Sequence, residues 1–184
     1  MPYSYTTFDS WMGTFVELLA PKKVLDIGPG AGKHGKIVRQ QAPNAMLLAQ
    51  EIDASYVERF KLKDIYNHVS IGPAIGLIHK PDFRADLVIL GDCIEHMRKS
   101  EAIDLLNFLV YRTSYIAIVT PEAFQQDDWE GHAAEAHIST WSPNDFYGWK
   151  THHQFHDGMH LFVIQGFQPN AFHETFDTSW KWTR

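Results

Sequence analysis

The chain has 184 residues, one cysteine, a formal net charge of −6, and 45% hydrophobic against 21% charged residues. A length of this order suits one domain with a substantial core. The acidic balance excludes a broad basic surface for nucleic acid. The lone Cys93 excludes an internal disulfide framework and points to a reducing, cytoplasmic setting. No apolar run reaches the ~20 residues of a membrane span. The start, Met1-Pro2-Tyr3-Ser4-Tyr5, lacks the charged and apolar regions of a signal peptide. The expectation is a single domain over 1–184, opening with a helix within 1–20.

From Phe8 onward, apolar residues recur at Trp11, Met12, Phe15, Val16, Leu18 and Leu19, a helical spacing. Asp9 or Ser10 would cap that helix and Pro21 would end it. Val24-Leu25-Asp26-Ile27 reads as a short buried strand holding one carboxylate. Gly28-Pro29-Gly30-Ala31-Gly32 follows, and then an amphipathic run through Ile37 and Val38 to about Gln41. Residues 45–50 make a second strand that delivers Glu51 and Asp53 at its C-terminal end. A helix over 55–62 and a short strand over 68–71 precede Gly72-Pro73. The run 85–90 is continuous and apolar and leads into Gly91-Asp92. A helix over 100–111 and a strand over 115–119 follow, the strand closed by Thr120-Pro121. Residues 122–141 read as an active-site loop, because 125–137 is polar and acidic with no apolar period. Ser142-Pro143 has the cap and first-position proline of a helix start. The last strand falls at 161–164, paired with 151–155 across a turn at Asp157-Gly158.

Strands alternating with helices predict an α/β fold. The expected form is a Rossmann-like, doubly wound sheet, mostly parallel with an antiparallel last strand and helices on both faces. In such sheets ligands sit beyond the C-terminal ends of the strands. The glycine turn, Glu51, Gly72-Pro73, the segment 91–96 and the loop after Pro121 all fall at those ends, which implies one shared site.

Three nucleotide sites compete for the glycine turn. A phosphate-binding loop needs a glycine four residues before Gly-Lys and a hydroxyl residue after it. Ile27 and His34 stand in those places. Gly30-Ala31-Gly32-Lys33-His34-Gly35 satisfies the dinucleotide pattern, so an NAD-dependent dehydrogenase is an alternative. That pattern begins two residues late after the strand and leaves Asp26 without a role. The third uses every residue: Asp26-Ile27-Gly28-Pro29-Gly30-Ala31-Gly32 resembles the first motif of the class I S-adenosylmethionine-dependent methyltransferases. The resemblance extends through Glu51, through Asp86-Leu87-Val88-Ile89-Leu90-Gly91-Asp92-Cys93-Ile94-Glu95-His96, and through Ile116-Ala117-Ile118-Val119-Thr120-Pro121. It implies S-adenosylmethionine as cofactor and S-adenosylhomocysteine as product, held by Asp26, Gly28, Gly30, Gly32, Glu51, Ile52, Ala74 and Asp92. Glu51 corresponds to the acid that accepts hydrogen bonds from both ribose hydroxyls, and two carboxylate oxygens suit a vicinal diol. One departure stands out. Where the family often has an acid for the adenine amino group, this chain has Gly72-Pro73-Ala74.

Methyl transfer is an in-line displacement that needs alignment, and a base when the acceptor is a hydroxyl. His96 lies just after the fourth strand and His137 in the later loop, so these are the candidate bases for an oxygen, or a nitrogen, of a small molecule. Asp92, Glu95, His96 and His137 also form the set a divalent cation would use. Similar Glu-x-x-Glu-His sets with a distant His occur in ubiquinone-pathway O-methyltransferases and in methyltransferases of small-RNA 3′ ends. The adopted reading needs no metal, since Glu-His after this strand is common in the superfamily without one, and Asp92 is shorter than Glu. An RNA ribose acceptor is disfavoured by the acidic charge. A non-catalytic domain of the same fold is the alternative from another class. Tyr3, Tyr5, Trp11, Trp129 and Trp141 are candidates to line the acceptor pocket, which is open or completed by a second copy in a homodimer. The other histidines, His132, His152, His153, His156 and His160, are expected at the surface or in turns. Lys33 and His34 are expected at the solvated start of their helix, beside the cofactor.

Overall fold

The computed structural model describes residues 4–179. Its centre is β1 (Lys23–Ile27), which pairs in parallel with β2 (Met46–Glu51) on one side and β4 (Ala85–Gly91) on the other. β3 (His68–Ile71) closes one edge against β2. Beyond β4 comes β5 (Thr113–Pro121), also parallel, and then the hairpin of β6 (Thr151–His156) and β7 (Met159–Gln165). β7 inserts antiparallel beside β5, so the seven-stranded sheet has the order β3-β2-β1-β4-β5-β7-β6. The strand order reverses about β1 and β4, and their C-terminal ends diverge there into a crevice.

Two apolar layers sandwich the sheet because strand side chains alternate between its faces. Leu87 and Ile89 of β4, Ala117 of β5 and Leu161 of β7 face one side. There they meet Met12, Phe15 and Val16 of α1 (Asp9–Leu19), Val38 of α2 (Lys33–Gln41), Val57 of α3 (Ala54–Arg59) and Phe176 of α5 (Phe172–Ser179). Val88, Leu90, Ile116, Ile118 and Phe162 face the other side, against Leu105, Leu106 and Leu109 of α4 (Lys99–Val110) and against Trp141 and Phe146. Helices therefore cover both faces, as the alternation predicts.

Several local expectations need correction. No side chain caps α1: Phe8 stands at its N-cap, and the Asp9 carboxylate turns instead to Lys33 Nζ at 2.6 Å. Residues 60–62 leave the helix, because Lys61 turns to φ 51° and only a short 3₁₀ turn, Leu62–Asp64, follows α3. Pro73 opens another 3₁₀ turn, Ala74–His79. The Ser142-Pro143 start yields a single turn, Pro143–Phe146, closed by a capping box between Ser142 and Asp145. α5 went unpredicted, since Phe172 and Phe176 alone carry its apolar face. His152 and His160 are buried rather than at the surface: β6 and β7 stack their rings against Trp11 and Phe162. No helix among the described residues is long and apolar enough to cross a membrane.

Candidate active site

The glycine turn leaves β1 with Gly28, Gly30 and Gly32 at φ 68°, 50° and 75°, and Gly32 becomes the N-cap of α2. Its Gly30 N–H donates to Glu51 Oε2 at 3.3 Å. Glu51 Oε1 accepts the Asp53 N–H at 2.9 Å, so one buried carboxylate ties the turn after β1 to the turn after β2. Burial pushes the Glu51 carboxyl up and those N–H donors pull it back. Gly28, Gly30, Glu51, Ile52, Asp92 and His96 together line one cavity of about 70 Å³. Three other predicted cofactor residues do not line it. Asp26 lies wholly buried beneath the turn, Gly32 shapes the start of α2, and Ala74 packs against the opposite core layer.

Asp26 has a partner that the sequence does not reveal. Tyr66, just after the Leu62–Asp64 turn, donates its hydroxyl to Asp26 Oδ2 at 2.6 Å. Gly35 permits this, because a Cβ there would overlap the Tyr66 ring. Gly91 serves His34 in the same way. The imidazole packs where a Cβ on Gly91 would stand, and burial pushes its pKa down to about 3. His34 is thus a neutral packing residue, not a solvated helix start. Lys33 is bound to the Asp9 carboxylate and the Tyr5 carbonyl.

At the ends of β4 and β5 the chain concentrates carboxylates and imidazoles. Asp92 adopts φ 49°, a costly conformation for a non-glycine residue and one met at functional sites. Asp92 Oδ2 and Glu95 Oε1 are buried with no hydrogen-bond partner among the described residues, while Glu95 Oε2 accepts from Thr120 Oγ1 at 3.0 Å. Burial raises both carboxyls, and each is further raised or held by charges nearby: Asp92 raises Glu95, whereas Lys33 draws Asp92 down.

The loop 122–141 docks on this segment through its backbone. Ile138 N–H and Ser139 N–H both donate to the Glu95 carbonyl, at 2.9 and 3.1 Å. That docking brings His137 to His96, with ring centroids 4.7 Å apart at 72°. His96 Nδ1 lies 3.1 Å from the Ala136 carbonyl and His137 Nδ1 lies 2.7 Å from the Phe124 carbonyl. A carbonyl can only accept, so each Nδ1 carries the proton and each Nε2 is left with a lone pair. Burial lowers both pKa values, which keeps the rings neutral near pH 7.

The same loop also reaches the cavity lined by Gly28, Gly30 and Glu51. Ala134 and Glu135 line it together with Tyr56. Arg59 binds Glu130 at 2.8 Å and Asp53 binds His132, which fastens the loop to α3 and its N-cap. Sequence reasoning missed Tyr66, Tyr56, Thr120 and Glu135, and nothing in their spacing marks them. Of the aromatic candidates, Tyr5 lines a small cavity with His96 and His137, Trp141 lies in the core and Trp11 stacks on Phe15. Trp129 sits in the loop, and Tyr3 falls outside the described residues.

No family model matches the chain, and no curated protein matches it. Solved structures do match in fold. An O-methyltransferase family protein from Burkholderia thailandensis is 13% identical, with a TM-score of 0.61 over 89% of this chain and 57% of its own. The chain thus spans little more than half of that protein. The N-terminal domain of EvdMO1, crystallised in the presence of SAH and D-fucose, is 13% identical, with a TM-score of 0.65 over 90% of this chain and 85% of its own. The methyltransferase domain of bacterial CtHen1 is 15% identical, with a TM-score of 0.62 over 87% of this chain and 98% of its own. The chain has the fold of the class I S-adenosylmethionine-dependent methyltransferases.

Proposed function

We propose that the protein is an S-adenosylmethionine-dependent methyltransferase acting on an oxygen of a small molecule. The observation that carries this is Glu51. Its buried carboxylate spans the glycine turn and the end of β2, each oxygen holding one backbone N–H and keeping a further lone pair for a vicinal diol. It stands in the wall of the cavity that Asp92 and His96 also line, so donor and base share one crevice. S-adenosylmethionine supplies an electrophilic methyl group when bound. The chain's part is to orient the acceptor and to take its proton on the free Nε2 of His96 or His137. The acidic net charge and lone cysteine support a small-molecule acceptor in the cytoplasm over nucleic acid.

A second reading adds a divalent cation to the same chemistry. Glu95, His96 and His137 each offer a ligand atom within 4.8 Å of the others. Glu95 Oε1, without a hydrogen-bond partner among the described residues, is what such an ion would satisfy, and carboxylate with imidazole suits Mg²⁺, Mn²⁺ or a harder transition metal; Asp92, the fourth residue of the expected set, is not one of the three. A cation there would lower the pKa of an acceptor hydroxyl.

Calorimetry with S-adenosylmethionine and S-adenosylhomocysteine tests the main reading. Binding of both is expected, weakened about tenfold or more in Glu51→Ala, in line with the loss of hydrogen bonds to a charged acceptor. Silence with both ligands, together with binding of NAD, would transfer the glycine turn to a dehydrogenase. Chelation with EDTA followed by Mg²⁺ or Mn²⁺ separates the two forms of the methyltransferase reading.

A further inference from the structure

The acceptor side of the site is a chain of three cavities. The donor cavity shares Asp92 and His96 with a small cavity of about 20 Å³. That cavity shares Phe124, Gln126 and His137 with an open groove of about 1000 Å³ lined by the loop segments 123–127 and 137–140. The two imidazoles stand at the junctions, so an acceptor whose reacting oxygen reaches them from the groove leaves the rest of its body in the groove.

The groove's chemistry selects that body. Gln125, Asp127 and Thr140 give it amide, carboxylate and hydroxyl groups, while the Gln126 amide and the Ser139 hydroxyl are held by the Glu135 carbonyl and by the Glu95 segment and Trp141. Planar amides and carboxylates pair with adjacent hydroxyls, donating to one or accepting from both. Phe124, 44% exposed, supplies a flat apolar face beside them, and Ile138, 57% exposed, a branched apolar one. Phe124 also packs edge-on to His137, with centroids 5.6 Å apart, which sets its ring next to the reacting end. Among the described residues lining the three cavities there is no lysine or arginine, while Glu51, Asp92, Glu95, Asp127 and Glu135 are acidic. A phosphorylated acceptor or an RNA end would meet carboxylates and no cation to neutralise its charge. A simple phenol would bring one hydroxyl to the Gln125 amide, the Asp127 carboxylate and the Thr140 hydroxyl together.

Resting on the methyltransferase reading, we infer that the acceptor is an uncharged, polyhydroxylated ring: a neutral sugar unit, carried on a larger glycoside that fills the groove. One ring hydroxyl oxygen forms the new bond to the methyl carbon. The methyl–sulfur bond breaks with its electron pair kept by sulfur, giving S-adenosylhomocysteine, and the hydroxyl proton passes to an imidazole Nε2.

Saturation-transfer NMR on the protein with S-adenosylhomocysteine, followed by transfer of a labelled methyl group, tests this. The probes are methyl glycosides of neutral hexoses, a neutral disaccharide glycoside, hexose 6-phosphates, simple phenols and a short oligoribonucleotide. The expected result is saturation transfer to the neutral glycosides and label on their hydroxyls. Gln125→Ala and Asp127→Ala should each raise the KM for the glycoside about tenfold, with the affinity for S-adenosylhomocysteine unchanged. Preference for phosphorylated, phenolic or RNA probes, or no glycoside bound while S-adenosylhomocysteine binds, overturns the sugar assignment and leaves the methyltransferase reading standing. Failure of S-adenosylhomocysteine itself to bind takes down both.

Discussion

The Tyr66 hydroxyl donates to Asp26 Oδ2 at 2.6 Å, in a place where both side chains are buried. The acid that opens the glycine turn is therefore held from below, by a residue forty positions later. Tyr66→Phe removes this side-chain donor and leaves a buried carboxyl with one partner fewer. The variant should lose about 1–3 kcal/mol of stability in urea unfolding. A change below that range would show that the bond is idle.

The same pair predicts a pH dependence. Burial pushes the Asp26 carboxyl from 3.8 up to about 7, against the pull of Tyr66. Unfolded, the group releases its proton near the ordinary value; folded, it keeps it until near neutrality. The folded state thus holds the extra proton across that window, and stability must fall as pH rises through it. The contribution is fully present below about pH 4 and lost as pH passes about 7. Unfolding free energy measured across this range should slope downward in the native protein, and the slope should flatten in Asp26→Asn.

Gly91 and His34 make a second test of packing. A Cβ on Gly91 would occupy the space of the His34 ring, which is fully enclosed and neutral. Gly91→Ala should cost about 1–3 kcal/mol by overpacking. The double variant Gly91→Ala with His34→Ala should recover part of that cost, since the clash is with the ring. No recovery in thermal melts would place the strain elsewhere.

The loop that lines the cavity with Ala134 and Glu135 is fastened by Asp53 to His132 and by Arg59 to Glu130. Asp53 also caps α3 by accepting the Ser55 N–H at 2.8 Å. Arg59→Ala removes a half-exposed ion pair and should change stability by less than about 1 kcal/mol. Asp53→Ala removes cap and latch together and should cost about 0.5–2 kcal/mol. Both should raise hydrogen exchange in residues 130–136, Asp53→Ala the more.

His96 and His137 are held neutral by burial, each with Nδ1 committed to a carbonyl. Methylation of an accepted hydroxyl should therefore be level above pH 7 and decline only below the ordinary histidine range, as the imidazoles take up protons. Loss of one general base costs about 10²–10⁴ in rate. His96→Asn or His137→Asn, whichever supplies the base, should show that fall in kcat with binding of S-adenosylhomocysteine retained.

Much of this molecule is written along the chain. Apolar runs of strand length, separated by glycine turns and helical periods, determine the doubly wound sheet. Local backbone needs place Gly28 to Gly32 and Glu51 at the strand ends where a cofactor would meet them. These are short-range properties: side-chain periodicity, and glycine's access to positive φ. What only the tertiary structure decided is which groups face one another over long separations. Asp26 met Tyr66, and Gly91 admitted His34. His137 came to His96 because the loop's backbone docks on the Glu95 carbonyl, a bond with no side-chain signature. His152 and His160, polar by composition, were drawn inside by the hairpin. Packing and hydrogen bonding across the fold set those relationships, and no local period encodes them.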